Sequence, residues 1–386
     1  MGLAFYLSLK EIWRNKGRFL LFSLVIALIT TLVLFIAALS EGLATANKQY
    51  LEKINAQLLV FQKDVDLSVS ASRIGLSKLN DIERVEGVQA AGPIGLSNGT
   101  IVFTDGREDI DVSLIGVEAG RPGVPTLLEG MPLLINRGSD IIIDKNIADQ
   151  RGVRVGDTIT LKTIQGSSEE FYKLNVIGLT DEQQYLFQPS VFLPYRTWDQ
   201  VRPQGAPGSM LVETTSNMVA VQIAPGYTLE EVRANLLNTV KDIDVADIKT
   251  AYESLPGYQA QQSTLNTQRG FTLLIGILVI GGFFQIQMLQ KIPQIGVLKA
   301  IGTSNFVVAS AVVTQIILVT TFGVLLGTLV TLGLGAGIGG AVPVIFNGAS
   351  VAIAVITLLL IGPIGGLVSV RLAVRVEPLI ALGLSN

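Results

Sequence analysis

Apolar and polar positions along this chain fall into blocks. Phe19–Leu39, Phe271–Leu289, Phe306–Leu332 and Val351–Val370 are runs of the length, about 18 apolar residues or more, that crosses a bilayer as a helix. Between the first two lies Glu41–Gln268, where apolar residues come in short stretches bounded by Gly, Asp and Asn, the pattern of strands and turns. Gln57–Gln62, Thr100–Phe103, Ile110–Gly116, Asp140–Asp144, Asp157–Thr163 and Phe171–Gly178 predict strands, and Glu86-Gly87-Val88 opens another. Asp105-Gly106 predicts a hairpin between two of them, with further turns at Gly156-Asp157 and Gln165-Gly166. Leu76–Val85 and Leu229–Asp242 predict helices, the second with Thr228 as N-cap and Glu231 closing a capping box. Ala44–Leu59 is expected to continue the first helix as a stalk. The fold class is an α+β membrane protein: four transmembrane helices, with a large extracytoplasmic α+β domain inserted between helices 1 and 2. The expected divisions are 1–40, 41–268, 269–370 and 371–386.

The flanks of the apolar runs predict orientation. Residues Met1–Arg18 read as an amphipathic helix, with Leu3, Phe5, Tyr6, Leu9, Ile12 and Trp13 on one stripe and Lys10, Arg14, Lys16 and Arg18 as basic positions. A cleaved signal peptide is the alternative, but the apolar run is too long and no small-residue cleavage site follows it. Lys and Arg gather before the first span, between the second and third (Lys291, Lys299), and after the fourth (Arg371, Arg375). The stretch Gly333–Ser350 carries no charge. By the positive-inside rule both termini are cytoplasmic, in the inner (plasma) membrane, and the 41–268 domain is outside.

The segment 291–303 stands apart. Lys291, Pro293, Gln294 and Lys299 interrupt the apolar pattern, so this stretch does not continue the second span. Proline lacks an N–H and restricts the residue before it, so the span is expected to break at Pro293. From there Ile295, Val297, Leu298 and Ile301 predict the apolar face of a short interfacial helix that stops at Gly302. Such a helix between two spans is built to receive a push from a partner at the membrane face. In the last two spans Gly323/Gly327, Gly333/Gly337 and Gly362/Gly366 have the spacing that lets helices pack closely. Gln285, Gln287 and Gln315 are polar groups inside spans, expected to hydrogen-bond between helices.

Composition removes several functions. Only 15% of the 386 residues are charged and the net charge is −3, so no nucleic acid is implied as a partner. The chain has no cysteine and no histidine, which excludes disulfides, thiol chemistry and a Ser-His-Asp site. No Gly-x4-Gly-Lys-Ser/Thr loop is present, and the acidic pairs Glu169-Glu170 and Glu230-Glu231 read as solvated faces. The expectation is no enzyme, no catalytic residue, no metal and no cofactor.

Residues 291–302 resemble the coupling segment of the FtsX/MacB-type (type VII) ABC transporter permeases. Their pattern is basic–x–x–acidic–Ile–Gly–x–Leu–basic–Ala–x–Gly. Lys291, Ile295, Gly296, Leu298, Lys299, Ala300 and Gly302 match it, and Gln294 departs from it where the acid would stand. Val85–Val88, Ile115-Gly116-Val117 and Asp144–Leu161 resemble the MacB-type periplasmic core. The short length, the LKEIWRNKGRFLL start and LPGYQAQQST resemble the HrtB-like branch, whose members export haem. The resemblance implies a homodimeric permease driven by a separate ABC ATPase that docks on Lys291, Pro293, Gln294, Ile295, Gly296, Leu298, Lys299, Ala300 and Gly302. It implies export of an apolar or amphipathic cargo, haem among the candidates, with a membrane-fusion adaptor as a further partner. Glu41, at the outer end of the first span, and Tyr258, before the second, are the candidates for a substrate entrance; the other reading of Tyr258, and the favoured one, is an interfacial belt residue. The alternative is an FtsX-like transmitter that activates a cell-wall hydrolase or sensor and moves no cargo.

Overall fold

The first apolar run folds as helix α1, Lys16–Lys53, in the computed structural model, which describes residues 10, 12–135, 138–203, 214–338 and 344–375. At 1.5 Å per residue its 38 residues extend about 57 Å, well beyond the ~30 Å of a hydrocarbon core. The stalk therefore exists, but it ends at Lys53, because Leu58–Gln62 leaves the helix as strand β1. Lys10 and Ile12–Arg14 are helical ahead of a turn at Asn15; the Leu3–Leu9 stripe of the expected amphipathic helix lies outside the described residues.

The chain divides into two compact units, 1–43 with 262–386, and 44–261. The second is α+β. In order after β1 come β2 (Ile74–Gly75), α2 (Leu76–Glu83), β3 (Val88–Val102), β4 (Ile110–Val117), β5 (Leu127–Gly130), β6 (Asp140–Asp144) and α3 (Lys145–Arg151). Then follow β7 (Thr158–Gln165), β8 (Ser168–Thr180), β9 (Ser190–Pro194), α4 (Tyr195–Val201), β10 (Thr215–Ser216), β11 (Met218–Ile223), α5 (Leu229–Thr239), β12 (Ile243–Asp247) and α6 (Ile248–Glu253). The capping box forms as the sequence predicts: Thr228 Oγ accepts from the Glu231 N–H, and Glu231 accepts from the Thr228 N–H at 2.8 Å. The Asp105-Gly106 hairpin also forms, with Thr100 opposite Asp111 and Ile101 opposite Ile110.

Strands β3, β4, β9, β6, β8 and β7 pair in that sequence, and β7 returns to β3, so this part of the sheet closes on itself. The closed part encloses Val112, Leu114, Ile141, Ile143, Leu161 and Val191, all fully buried. The other edge continues through β11 and β1 to β12 and is covered by α2 and α5 over Ile82, Val232 and Leu236. Gly95 and Gly116 are cross-strand partners, and a Cβ on either would collide with the Trp198 indole. Glycine here makes room for a Trp buried to 1% exposure.

The first unit holds the apolar lengths of four long helices, α1, α7 (Tyr258–Ala300), α8 (Asn305–Ile338) and α9 (Gly348–Arg375), with the last turns of α1 and the first of α7 belonging to the second unit. Ile26, Val33, Ile280, Phe284, Ile316 and Leu358 meet in the core of the first. Gly281 of α7 and Gly365 of α9 approach so closely that a Cβ on Gly281 would lie 2.8 Å from the Gly365 carbonyl. A Cβ on Gly327 of α8 would sit against the Ala27 carbonyl and Thr30 of α1, where Thr31 Oγ also donates to the Gly327 carbonyl at 3.2 Å. Gly362 and Gly366 face Thr320 and Ile316, whereas Gly333 and Gly337 have nothing within 4 Å.

The expected break at Pro293 does not occur. Helix α7 runs through it to Ala300 with the proline inside. Long membrane helices tolerate proline because neighbouring helices constrain them; Ile295 and Gly296, just beyond it, are buried among the other helices. The stop at Gly302 does form. Gly302 has φ +95°, its N–H bonds the Lys299 carbonyl at 3.0 Å, and the Thr303 N–H bonds the Leu298 carbonyl at 3.1 Å, a Schellman termination.

Candidate functional site: the turn between the second and third long helices

The turn at Gly302 is braced from two directions. Lys299 Nζ donates to the Val374 carbonyl at 2.6 Å. That carbonyl belongs to α9, so the bond ties the end of α7 to the fourth long helix. Lys291 Nζ donates to Gln315 Oε1 of α8 at 2.8 Å, and stands 5.9 Å from the Phe19 ring centroid of α1. The two lysines thus join the end of α7 to α8 and α9.

Helical periodicity sorts the motif into two faces. Ile295 and Gly296 are buried and Leu298 and Lys299 half-buried, while Pro293, Gln294, Ala300 and Gly302 are exposed. The apolar positions Ile295, Val297, Leu298 and Ile301 do not share one face as the sequence reading expected. A continuous helix turns Ile295 and Leu298 inward and leaves Val297 at 47% and Ile301 at 75% exposed. Phe306, on the first turn of α8, is 75% exposed as well. Gln315 bonds between helices as its place in the sequence predicts, whereas no local pattern marks Val374. The outward pair Val297/Ile301, at i and i+4 beside Pro293, was findable from the 3.6 period had the helix been carried through the proline.

Glu41 and Tyr258 fall in different units. Glu41 Oε1 lies 3.5 Å from Asn347 Nδ2, next to the place where the Ile345 N–H donates to the Ala38 carbonyl. Tyr258 is half-buried, its ring edge-on to Tyr252 with centroids 5.7 Å apart.

Within the globular unit the last turns of α1 are gripped by the loop 181–189. The Leu186 and Phe187 N–H groups donate to the Asn47 and Ala46 carbonyls, and the Tyr50 N–H donates to the Gln184 carbonyl at 3.0 Å. Lys53 Nζ donates to the Asp181 and Glu182 carbonyls. Glu182, Leu186 and Phe187 all hold positive φ, a strained shape maintained by its surroundings. One support is Asp144, fully buried, which accepts from the Gln183 N–H at 2.9 Å and the Asn146 N–H at 2.8 Å. Burial pushes its carboxyl up to about 6, against the pull of those N–H groups. Among the described residues no group of carboxylates is placed to hold a metal ion.

Residues 19–239 match the profile of the MacB-like periplasmic core domain, and residues 270–378 that of the FtsX-like permease C-terminal region. The chain is 27% identical over 380 residues to a Staphylococcus haemolyticus protein provisionally named hemin transport system permease protein HrtB, covering 98% of this chain and 99% of that one. It is 22% identical to an uncharacterized ABC transporter permease of Mycobacterium tuberculosis, over 83% of each. Among solved structures it is similar to the extracellular domain of the noncanonic ABC-type transporter YknZ from Gram-positive bacteria, with TM-score 0.35 and 17% identity over 49% of this chain and 99% of that one. It is also similar to the periplasmic region of MacB from Actinobacillus actinomycetemcomitans, with TM-score 0.37 and 16% identity over 53% and 94%.

Proposed function

The chain belongs to the family of ABC transporter permeases that carry a MacB-like periplasmic core domain and an FtsX-like permease region, and we propose that it couples ATP hydrolysis by a separate ATPase chain to export of an apolar or amphipathic cargo. A multi-pass membrane location follows from the family and the four apolar helices. We place both termini in the cytoplasm and the 44–261 unit outside, because Lys and Arg gather at the flanks expected inside. Haem is the cargo to test first, because a relative aligned end to end carries a hemin transport name. Two copies would pair, with an adaptor protein as a further partner.

The observation that carries this reading is the double bracing of the Gly302 turn. Because Lys291 and Lys299 join α7 to α8 and α9, a force on the exposed Pro293–Ile301 face moves three helices together. The ATPase docks on that face, and α7, continuous through Pro293, transmits the displacement along its length. Val297 and Ile301 join Pro293, Gln294 and Ala300 as the contact residues, while Lys291, Ile295, Gly296, Leu298, Lys299 and Gly302 hold the turn in shape. Glu41, bonded toward Asn347 beside Ala38, is the entrance residue to test, whereas Tyr258 packs beside Tyr252 in the globular unit.

The test is ATP hydrolysis by the permease reconstituted with its ATPase. Haemin or another amphiphile raises the rate if cargo is moved. A rate indifferent to haemin, lipids, macrolides and peptides, with a cell-wall hydrolase recovered on the globular domain, identifies a signal transmitter instead.

A further inference from the structure

Lys10, Arg14 and Lys291 share a cavity of about 350 Å³ with Gln294 and Gln315. No carboxylate among the described residues lines it. Gln315 is 4% exposed. Its Oε1 accepts from Lys291 at 2.8 Å, and an ammonium can only donate, so the orientation of the amide is fixed. The Gln315 Nε2 group is then buried with no acceptor. A buried donor left without a partner is costly, and native proteins rarely keep one without a use.

We propose that this cavity binds the phosphate of an anionic phospholipid. A phosphate oxygen takes the Gln315 N–H, and Lys10, Arg14 and Lys291 supply the charge. Two features select a lipid over a free anion. The rest of the wall is aliphatic, with Ile295, Val308 and Val312, so the site is two-sided like an amphiphile. Lys291 also stands beside Phe19, where the first apolar run begins, which is the boundary between headgroups and hydrocarbon. A lipid held here would wedge between the N-terminal segment and the braced turn. The inference is independent of whether the protein moves cargo or transmits a signal.

The test uses the purified full chain, equilibrated with mixed micelles of phosphatidylglycerol and phosphatidylcholine in equal amounts, with retained lipid measured by mass spectrometry. The wild type should prefer phosphatidylglycerol by about tenfold, as expected for hydrogen bonds to a charged group. Gln315→Glu keeps an acceptor for Lys291 but puts a negative charge in the cavity, and should erase the preference. Arg14→Gln changes an exposed residue, and should lower the preference about threefold, the worth of one surface charge. Equal retention of the two lipids by the wild type overturns the proposal, as does an undiminished preference in a folded Gln315→Glu protein or in Arg14→Gln. Displacement of the lipid by millimolar inorganic phosphate would assign the cavity to the free ion and overturn the lipid assignment.

Discussion

Lys299, at the end of the second long helix, donates its ammonium proton to the carbonyl of Val374 in the fourth, at 2.6 Å. The bond fixes the turn at Gly302 against a helix 75 residues further along the chain. Lys299→Met keeps the apolar stem and removes the proton donor. A charge-assisted hydrogen bond of this kind is worth about 1.5–3 kcal/mol. The variant should still bind the ATPase but lose most cargo-stimulated hydrolysis, read by comparing co-purification with the ATPase rate.

Val297→Asp and Ile301→Asp place charges on the exposed apolar face. Neither side chain is in the core, so unfolding should shift by no more than about 0.5 kcal/mol. Association with the ATPase should fall at least tenfold, measured by pull-down. Weakened folding with intact association would mean that the face serves the fold and not a partner.

Gly281→Leu forces a side chain into the Gly365 backbone on the neighbouring helix. Overpacking of this kind costs about 1–3 kcal/mol, and the melting temperature of the detergent-solubilised protein should fall accordingly. Gly333→Leu, at a position with open space, should leave it unchanged.

Asp144 gives the globular unit a dependence on pH. Its folded value, about 6, lies above the ordinary 3.8, so between these two the folded state binds more protons than the unfolded one. Stability from this group therefore falls as pH rises from 4 to 6 and is flat above, by about 3 kcal/mol at most. Asp144→Asn should remove that slope from melting curves taken between pH 4 and 7. Equal slopes in the two proteins would assign the dependence to another group. Glu118, also raised by burial, is the first to examine.

Much of this architecture was legible in the sequence, and the omissions have physical causes. The four spans announce themselves by length, and Thr228 with Glu231 marks a helix start within three residues because capping is local chemistry. The strand Asp140–Asp144 was readable because its apolar run is short and bounded. Strand β3 was legible only at its ends: Gly92, Pro93, Gly95 and Gly99 make its centre look like a loop, yet Gly95 is required there by Trp198, about a hundred residues later. The return of β7 to β3 rests on pairs such as Ile101 with Leu161, which no local pattern encodes. At the candidate site the residue types were visible but not their facing. Pro293 promised a break that tertiary packing overrode, and that one error rotated Val297 and Ile301 onto the wrong side.

The account turns on the Val297–Ile301 face meeting a nucleotide-hydrolysing partner inside the cell. The chain has no cysteine, so Ile301→Cys creates a unique reactive site at an exposed position. A short bifunctional thiol reagent should join this residue to the ATPase, and membrane-impermeant maleimide should fail to label it in intact cells. Labelling from outside, or no cross-link to an ATPase that co-purifies, would contradict the account.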